Sequence, residues 1–377
     1  MSRGLGDVYK RQVSHPVARS TSNRCRSIVG PMQAALITDQ ETVELIEFPE
    51  PDPAPDQVVV DIAYCGVCGT DVHSFQSPGP AHPATCGHEW VGTISKTGSG
   101  VARLADGDRV VIAVPPSCGT CPACHAGQMD KCQTVLMATV GRGPYDTPHG
   151  GFAPRLAVHH GRALRADPAL SDEQAAQIEP ATICFHAVRA TAPRLGDLAV
   201  IQGAGPIGLN TMQWVLAAGA GRVIVVEPSA PRRALAKRLG AHDVVAPGRE
   251  AREAIAEQSH ALGADIVYEC AGVPATVQSA VQMARRGGRV CLIGLAIGDA
   301  PISPVEWLTK EIAVTAALGY THEEFEMAMG YVADGRVDID ALHTGTIGLD
   351  GLEGLLIDLG SGSSEHTKVL VDPRLEC

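Results

Sequence analysis

The chain has 377 residues, enough for two domains that each bury a core of their own. A hydrophobic content of 45% with 19% charged residues fits an ordinary soluble globular protein. The net charge of −12 argues against nucleic acid or an anionic membrane surface as the main partner, and no apolar run is long enough to cross a bilayer.

Residues 1–31 stand apart. Arg3, Lys10, Arg11, Arg19, Arg24 and Arg26 face one acid, Asp7, a composition that resembles an organellar transit peptide. The run 7–12 instead matches the translation of a common sequencing-adapter end. We expect residues 1–31 to be a non-native leader and Met32 to be the native start.

From Met32 the pattern is one of strands and turns. The run 33–37 alternates, and 58–63 and 109–114 are β-branched stretches bounded by Pro, Gly and Asp. Helical periodicity takes over at 171–193, with Ser171 as its start signal. From Leu198 strand and helix alternate: strands at 199–202, 223–226, 265–269 and 289–293, helices at 207–218 and 231–239. Such alternation predicts a parallel, doubly wound sheet. A helix and a last strand, 368–371, close the chain beyond Tyr320. The predicted fold class is α/β, with a β-rich part surrounding an inserted α/β domain.

Four of the 12 cysteines crowd into one turn-rich loop: Cys118, Cys121, Cys124 and Cys132. This spacing suits tetrahedral zinc held by four thiolates, a closed site that no substrate enters, and so predicts a structural metal. We expect metal binding in a reducing, cytoplasmic compartment rather than a disulfide framework. Cys68, Asp71 and His73, with His88 and Glu89 further on, supply ligands for a second zinc. A catalytic zinc keeps three protein ligands and an open position for water or an alcohol.

Gly203-Ala204-Gly205-Pro206-Ile207-Gly208 follows a predicted strand and opens a predicted helix, the setting that makes a dinucleotide fingerprint specific. Gly203 permits the turn, Gly205 lets the pyrophosphate approach, and Gly208 packs helix on strand. Glu227 ends the second strand, where an acid accepts from the ribose 2′-hydroxyl and repels a 2′-phosphate. Arg232 and Arg233 pull the other way, toward that phosphate. The balance predicts NAD over NADP.

The segments CGVCGTDVH, GHEWVG, the four-cysteine lobe and GAGPIG, in this order, resemble the zinc-containing medium-chain dehydrogenases, nearest to their polyol (sorbitol), butanediol and threonine dehydrogenase branch. The resemblance spans 32–373. It implies a GroES-like catalytic domain, 32–183 with 320–377, carrying the zinc lobe at about 115–135, and a Rossmann domain, 184–319. It implies Cys68 and His88 as catalytic zinc ligands and Asp71 as the carboxylate orienting the His88 ring. For the third ligand Glu179 is preferred, the Glu179-Pro180 pair matching the polyol branch, with Cys184 as its rival and Glu89 as a further candidate. Thr70 and His73 resemble the family's proton relay, His73 being the terminal base, and Arg232 matches an arginine of the NAD-selective polyol enzymes. The expected reaction is hydride transfer between a secondary alcohol, diol or polyol, or the matching ketone, and NAD. A threonine- or formaldehyde-type enzyme, a primary alcohol dehydrogenase and a non-catalytic nucleotide-binding protein are the alternatives. Phe75, Trp90, Phe152 and Leu295 are expected to set substrate size, and a homodimer or homotetramer is expected through the nucleotide-sheet edge.

Overall fold

Two antiparallel strands, β1 (Met32–Asp39) and β2 (Thr42–Phe48), form the first hairpin, which turns at Glu41 with a φ of 53°. The structure, a computed structural model, describes residues 31–375. The expectation of a non-native leader therefore lies outside the described residues, apart from Pro31. Next come β3 (Gln57–Gly66), β4 (Glu89–Thr97), β5 (Arg109–Ile112), β6 (Arg155–His159) and β7 (Ala163–Arg165). Val58, Val59, Val60 and Ile62 are all buried, because β3 lies inside the sheet with β4 and β6 antiparallel beside it.

The second sheet holds β8 (Leu198–Gln202), β9 (Arg222–Val226), β10 (Asp243–Val245), β11 (Ala264–Glu269), β12 (Ala284–Leu292) and β13 (Ala313–Ala316). Its order is β10-β9-β8-β11-β12-β13 and every pairing is parallel, as the alternating pattern requires. The chain then returns. β14 (His343–Ile347) and β15 (Lys368–Val371) complete a seven-stranded sheet of order β14-β15-β3-β4-β5-β7, with β6 beside β3. Residues from both ends of the sequence thus share one sheet, and β15 lies against Cys65 and Gly66.

We propose two domains on this division, 32–183 with 320–377 and 184–319. The helix Ile178–Thr191 runs through the first of these boundaries, and Trp214 Nε1 donates to the Ala181 carbonyl at 2.9 Å to tie it to the nucleotide-type half. Among the described residues no helix is long and apolar enough to cross a membrane.

Candidate active site and nucleotide site

The helix Gly69–Gln76 begins at Cys68, and its first turn carries Asp71. Asp71 is buried and holds two loops together. Its Oδ2 accepts from the Cys68 backbone N–H at 2.9 Å, and its Oδ1 accepts from that of Gly87 at 3.5 Å. Cys68 Sγ, a ring nitrogen of His88 and a carboxylate oxygen of Glu89 are thereby gathered within 4.8 Å of one another.

The His88 ring is fixed on one side by Nδ1, 3.1 Å from the Thr85 carbonyl oxygen. A carbonyl accepts only, so Nδ1 carries the proton and Nε2 is left for a metal. Asp71 Oδ1 is 3.9 Å from Nδ1, an ion-pair separation rather than a hydrogen bond. Its effect on the ring is therefore electrostatic. Burial works against a positive His88, but Asp71 and then Cys68 outweigh it and raise the pKa well above the ordinary value. The same anions favour a metal dication at Nε2.

Glu89 is 1% exposed, and its Oε2 pairs with the ammonium of Lys368 on β15, which is equally buried. Its Oε1 has no protein partner. A buried carboxylate oxygen left unsatisfied beside a thiol and an imidazole is what a zinc ligand looks like without its metal. Burial alone would discharge Lys368, but Glu89, Cys68 and Asp71 raise its pKa above the ordinary lysine value. Our reading of the sequence did not single out Lys368. The one signal for it was a lysine opening the otherwise apolar strand Lys-Val-Leu-Val.

Glu179 does not join the 4.8 Å group. Burial raises its carboxyl to about 7, and His88, Glu89 and Lys368 are its charged neighbours, with the Tyr320 hydroxyl as hydrogen-bond partner. Cys184 points elsewhere, its Sγ 3.3 Å from the Ile207 carbonyl, and burial pushes the thiol up to about 12. Five helical steps lead from Glu179 to Cys184. At about 100° per residue they project roughly 140° apart, so one helix cannot turn both to one metal.

Thr70 Oγ1 lies 3.6 Å from Cys68 Sγ. Thr70 and His73 then line one wall of a 250 Å³ cleft, whose opposite wall is Leu295 and Ile297 from the nucleotide-type half. Leu295 is thus where a size-setting residue should be. Phe75, Trp90 and Phe152 are not: each is 1% exposed and belongs to the core under β3 and β4. Gly87 shows why, since a Cβ there would meet the Phe152 ring at 2.8 Å. These aromatics pack the metal loop from behind.

In the cysteine lobe the four sulfurs of Cys118, Cys121, Cys124 and Cys132 lie within 4.8 Å of one another. The Cys118 backbone N–H reaches Cys132 Sγ at 3.3 Å, and the N–H and hydroxyl of Thr120 bring the Cys118 thiol down to about 5. Thiolates stabilised by N–H donors are the form that zinc binds. No cysteine among the described residues forms a disulfide.

At the end of β8, Gly203 turns with φ of 98°, and a Cβ there would meet the Ala271 backbone at 3.0 Å. Gly205 faces open space, as an approach route for a pyrophosphate needs. A Cβ on Gly208 would collide with the Gly203 carbonyl, so helix packs directly on strand there. Pro206 and Ile207 open the helix Pro206–Ala217. Glu227 is 4% exposed and accepts from the Ala204 N–H at 2.7 Å and from the Ser229 N–H at 2.8 Å. Both arginines are already engaged. Arg232 donates to the Ser364 and His366 carbonyls at 3.1 and 3.3 Å, and Arg233 to those of Glu227 and Pro228, both at 2.7 Å.

Two family profiles match the chain: "Alcohol dehydrogenase GroES-like domain" over 54–168 and "Zinc-binding dehydrogenase" over 206–334. The sorbitol dehydrogenase of Bacillus subtilis (strain 168) is 30% identical over 350 residues, which cover 91% of this chain and 97% of that one. An Escherichia coli CFT073 alcohol dehydrogenase complexed with NADH superposes with a TM-score of 0.80 at 25% identity, covering 91% and 99% of the two chains. A Sinorhizobium meliloti 1021 protein of the zinc-binding dehydrogenase type, bound to NADP, superposes with a TM-score of 0.79 at 31% identity, covering 91% and 100%. With both sheets, both ligand clusters and the glycine turn in place, the chain belongs to the zinc-containing medium-chain alcohol dehydrogenases, oxidoreductases that act on CH–OH groups with a nicotinamide dinucleotide.

Proposed function

We propose that this protein oxidises secondary alcohols, diols or polyols with NAD, or reduces the matching ketones. The observation that carries this reading is the group of Cys68, His88 and Glu89 around the unpaired Glu89 Oε1, with Thr70, 3.6 Å from the Cys68 sulfur, lining a cleft walled by both halves of the chain. Cys68, His88 and Glu89 would hold the catalytic zinc, and Glu179 would face its open position. Bound there, zinc lowers the pKa of an alcohol so that an alkoxide forms near neutrality. Asp71 keeps the two ligand loops in register, and Leu295 and Ile297 give the cleft an apolar wall. The sorbitol dehydrogenase relative supports polyols as the substrate class.

The test is the rate of NADH or NADPH formation from secondary alcohols, vicinal diols, polyols, threonine and primary alcohols, each with NAD and with NADP. Turnover of diols or polyols with NAD is the expected result. Activity confined to primary alcohols overturns the substrate class.

Thr70 and His73 would carry the hydroxyl proton from the metal side of the cleft to solvent. His73→Ala is expected to slow turnover by roughly 10²-fold, most strongly below neutral pH where hydroxide cannot replace the lost base, with zinc content unchanged. An unaltered pH–rate profile removes the relay.

For the cofactor, Glu227 supports NAD, because its buried carboxylate sits at the end of β9 while Arg232 and Arg233 are engaged with backbone carbonyls. Glu227→Gln keeps one of the two acceptors, for the Ala204 N–H, gives up the one for the Ser229 N–H, and removes the charge that repels a 2′-phosphate. The ratio of kcat/KM for NAD over NADP should fall by roughly 10-fold or more. A constant ratio would assign selectivity to other groups.

We place the protein in the reducing cytoplasm, in keeping with its free thiols, and as a homodimer or homotetramer. The exposed edge strand β13, with Val305, Leu308, Val314 and Leu318 exposed near it, supports association through the nucleotide-type sheet.

A further inference from the structure

The zinc ligands named above come from 68–89, yet the buried cation that touches one of them comes from the far end of the chain. Lys368 is 3% exposed and stands on β15, which pairs with Cys65 and Gly66 just before the ligand Cys68. Its Nζ donates to the Val67 carbonyl at 2.9 Å and to Glu89 Oε2. Space for this pair is cleared by Gly66: a Cβ there would strike Glu89 Oε2 and come within 2.9 Å of Lys368 Cε. Glu89 is left with one free oxygen, Oε1, and that oxygen has no protein partner.

A carboxylate can bind a metal through one oxygen or through both. Through both, it fills two positions and turns an open four-coordinate centre into a closed or five-coordinate one. We propose that Lys368 is a positioning residue that makes Glu89 a one-oxygen ligand: by holding Oε2 it leaves only Oε1 to the metal and so keeps a coordination position open for the alcohol. This rests on the zinc reading given above. It also explains why the last strand must return to the first sheet. Without β15 the ligand set is present, but the second oxygen of Glu89 is unrestrained. A buried cation also offsets part of the negative charge gathered by Cys68, Asp71 and Glu89.

The test uses the full chain loaded with cobalt(II), whose visible d–d bands are intense in four coordination and several-fold weaker in five. The band of the catalytic metal is isolated by subtracting the spectrum of a Cys68→Ser chain, which keeps only the lobe metal. The wild-type difference spectrum should show the intense, four-coordinate form and should shift when imidazole takes the open position. Lys368→Met should weaken these bands several-fold and lower the apparent affinity for imidazole by about 10-fold, within the range set by partners of metal ligands. Lys368→Met combined with Glu89→Gln, which removes the carboxylate's second oxygen, should bring back four-coordinate intensity.

Unchanged bands and imidazole affinity in Lys368→Met, with two metals per chain retained, overturn the proposal and leave the pair as a structural tie. Should Lys368→Met fail to fold, X-ray absorption at the zinc edge of the wild type decides. One carboxylate oxygen in the first shell upholds the proposal, and two from one carboxylate overturn it. A wild-type chain that binds only one metal, in the lobe, overturns the catalytic zinc itself, an outcome distinct from both.

Discussion

Cys68→Ser is expected to lower zinc from two atoms per chain to one and to cut turnover of the best alcohol by at least about 10³-fold, while the unfolding temperature barely moves. Lewis-acid stabilisation of an alkoxide contributes several kcal/mol, and each ~1.4 kcal/mol is a factor of ten in rate. Little fold energy is at stake. Cys68 is partly exposed at the start of a helix, and the loops on either side are held by the Asp71 carboxylate, which accepts from the Cys68 and Gly87 backbone N–H groups. The serine chain therefore keeps its site geometry without its thiolate. Metal analysis of the purified variant, alongside steady-state rates and a thermal scan, checks all three parts. Full activity with two zinc atoms would remove Cys68 from the ligand set and with it the metal centre built here.

What the sequence made legible and what it hid divide along sequence distance. The glycine turn was readable because strand, turn and helix are contiguous, and Gly203, Gly205 and Gly208 each meet the steric condition that their spacing implies. The cysteine lobe was readable for the same reason: four thiols within 15 residues have few ways to fold except around one ion. Hydrophobic periodicity placed the central parallel strands β8 and β9, since both are buried on both faces and read as apolar runs.

Lys368 was not readable as part of the site. It lies 279 residues from Glu89, and only the antiparallel pairing of β15 with β3 brings the two together. Phe75, Trp90 and Phe152 show the converse difficulty. Aromatic residues next to ligand motifs look like pocket walls, yet hydrophobic burial draws them beneath the loops, leaving the cleft to Leu295 and Ile297. That Glu179 and Cys184 cannot both face one metal follows from helix geometry once 178–191 is one helix, but which of them faces it does not. Nor does the weight between Glu89 and Glu179, because it depends on how close each carboxylate comes to Cys68 and His88.

Cys124→Ser should behave in the opposite manner to Cys68→Ser. The lobe has little to hold it besides its metal: up to its last cysteine its regular structure is the short helix Pro122–His125 and the single turn Met129–Lys131, with the helix Gln133–Thr139 starting only at Cys132, and Met129 lies 42% exposed. Cys124, Cys132 and Val135 are the members of this stretch buried in the main core, and Cys118 and Cys121 pack against it half-buried. In such a loop the binding free energy of zinc is folding free energy, about 10–16 kcal/mol in isolated zinc-finger peptides near neutral pH. Even if most of that is offset by losses in the rest of the chain, a remainder of ~4 kcal/mol lowers the unfolding temperature of a chain this long by about 5 °C. The expected variant therefore carries one zinc, unfolds at least about 5 °C earlier and, assayed well below that temperature, keeps turnover within a few-fold of wild type because Cys68, His88 and Glu89 are untouched. Chelator added to wild-type protein should reproduce the lower unfolding temperature once the lobe metal is stripped. A Cys124→Ser chain that melts where the wild type does would mean the lobe is held by packing alone. A chain that melts normally but has lost its activity would mean the four-cysteine cluster serves the reaction and not the fold.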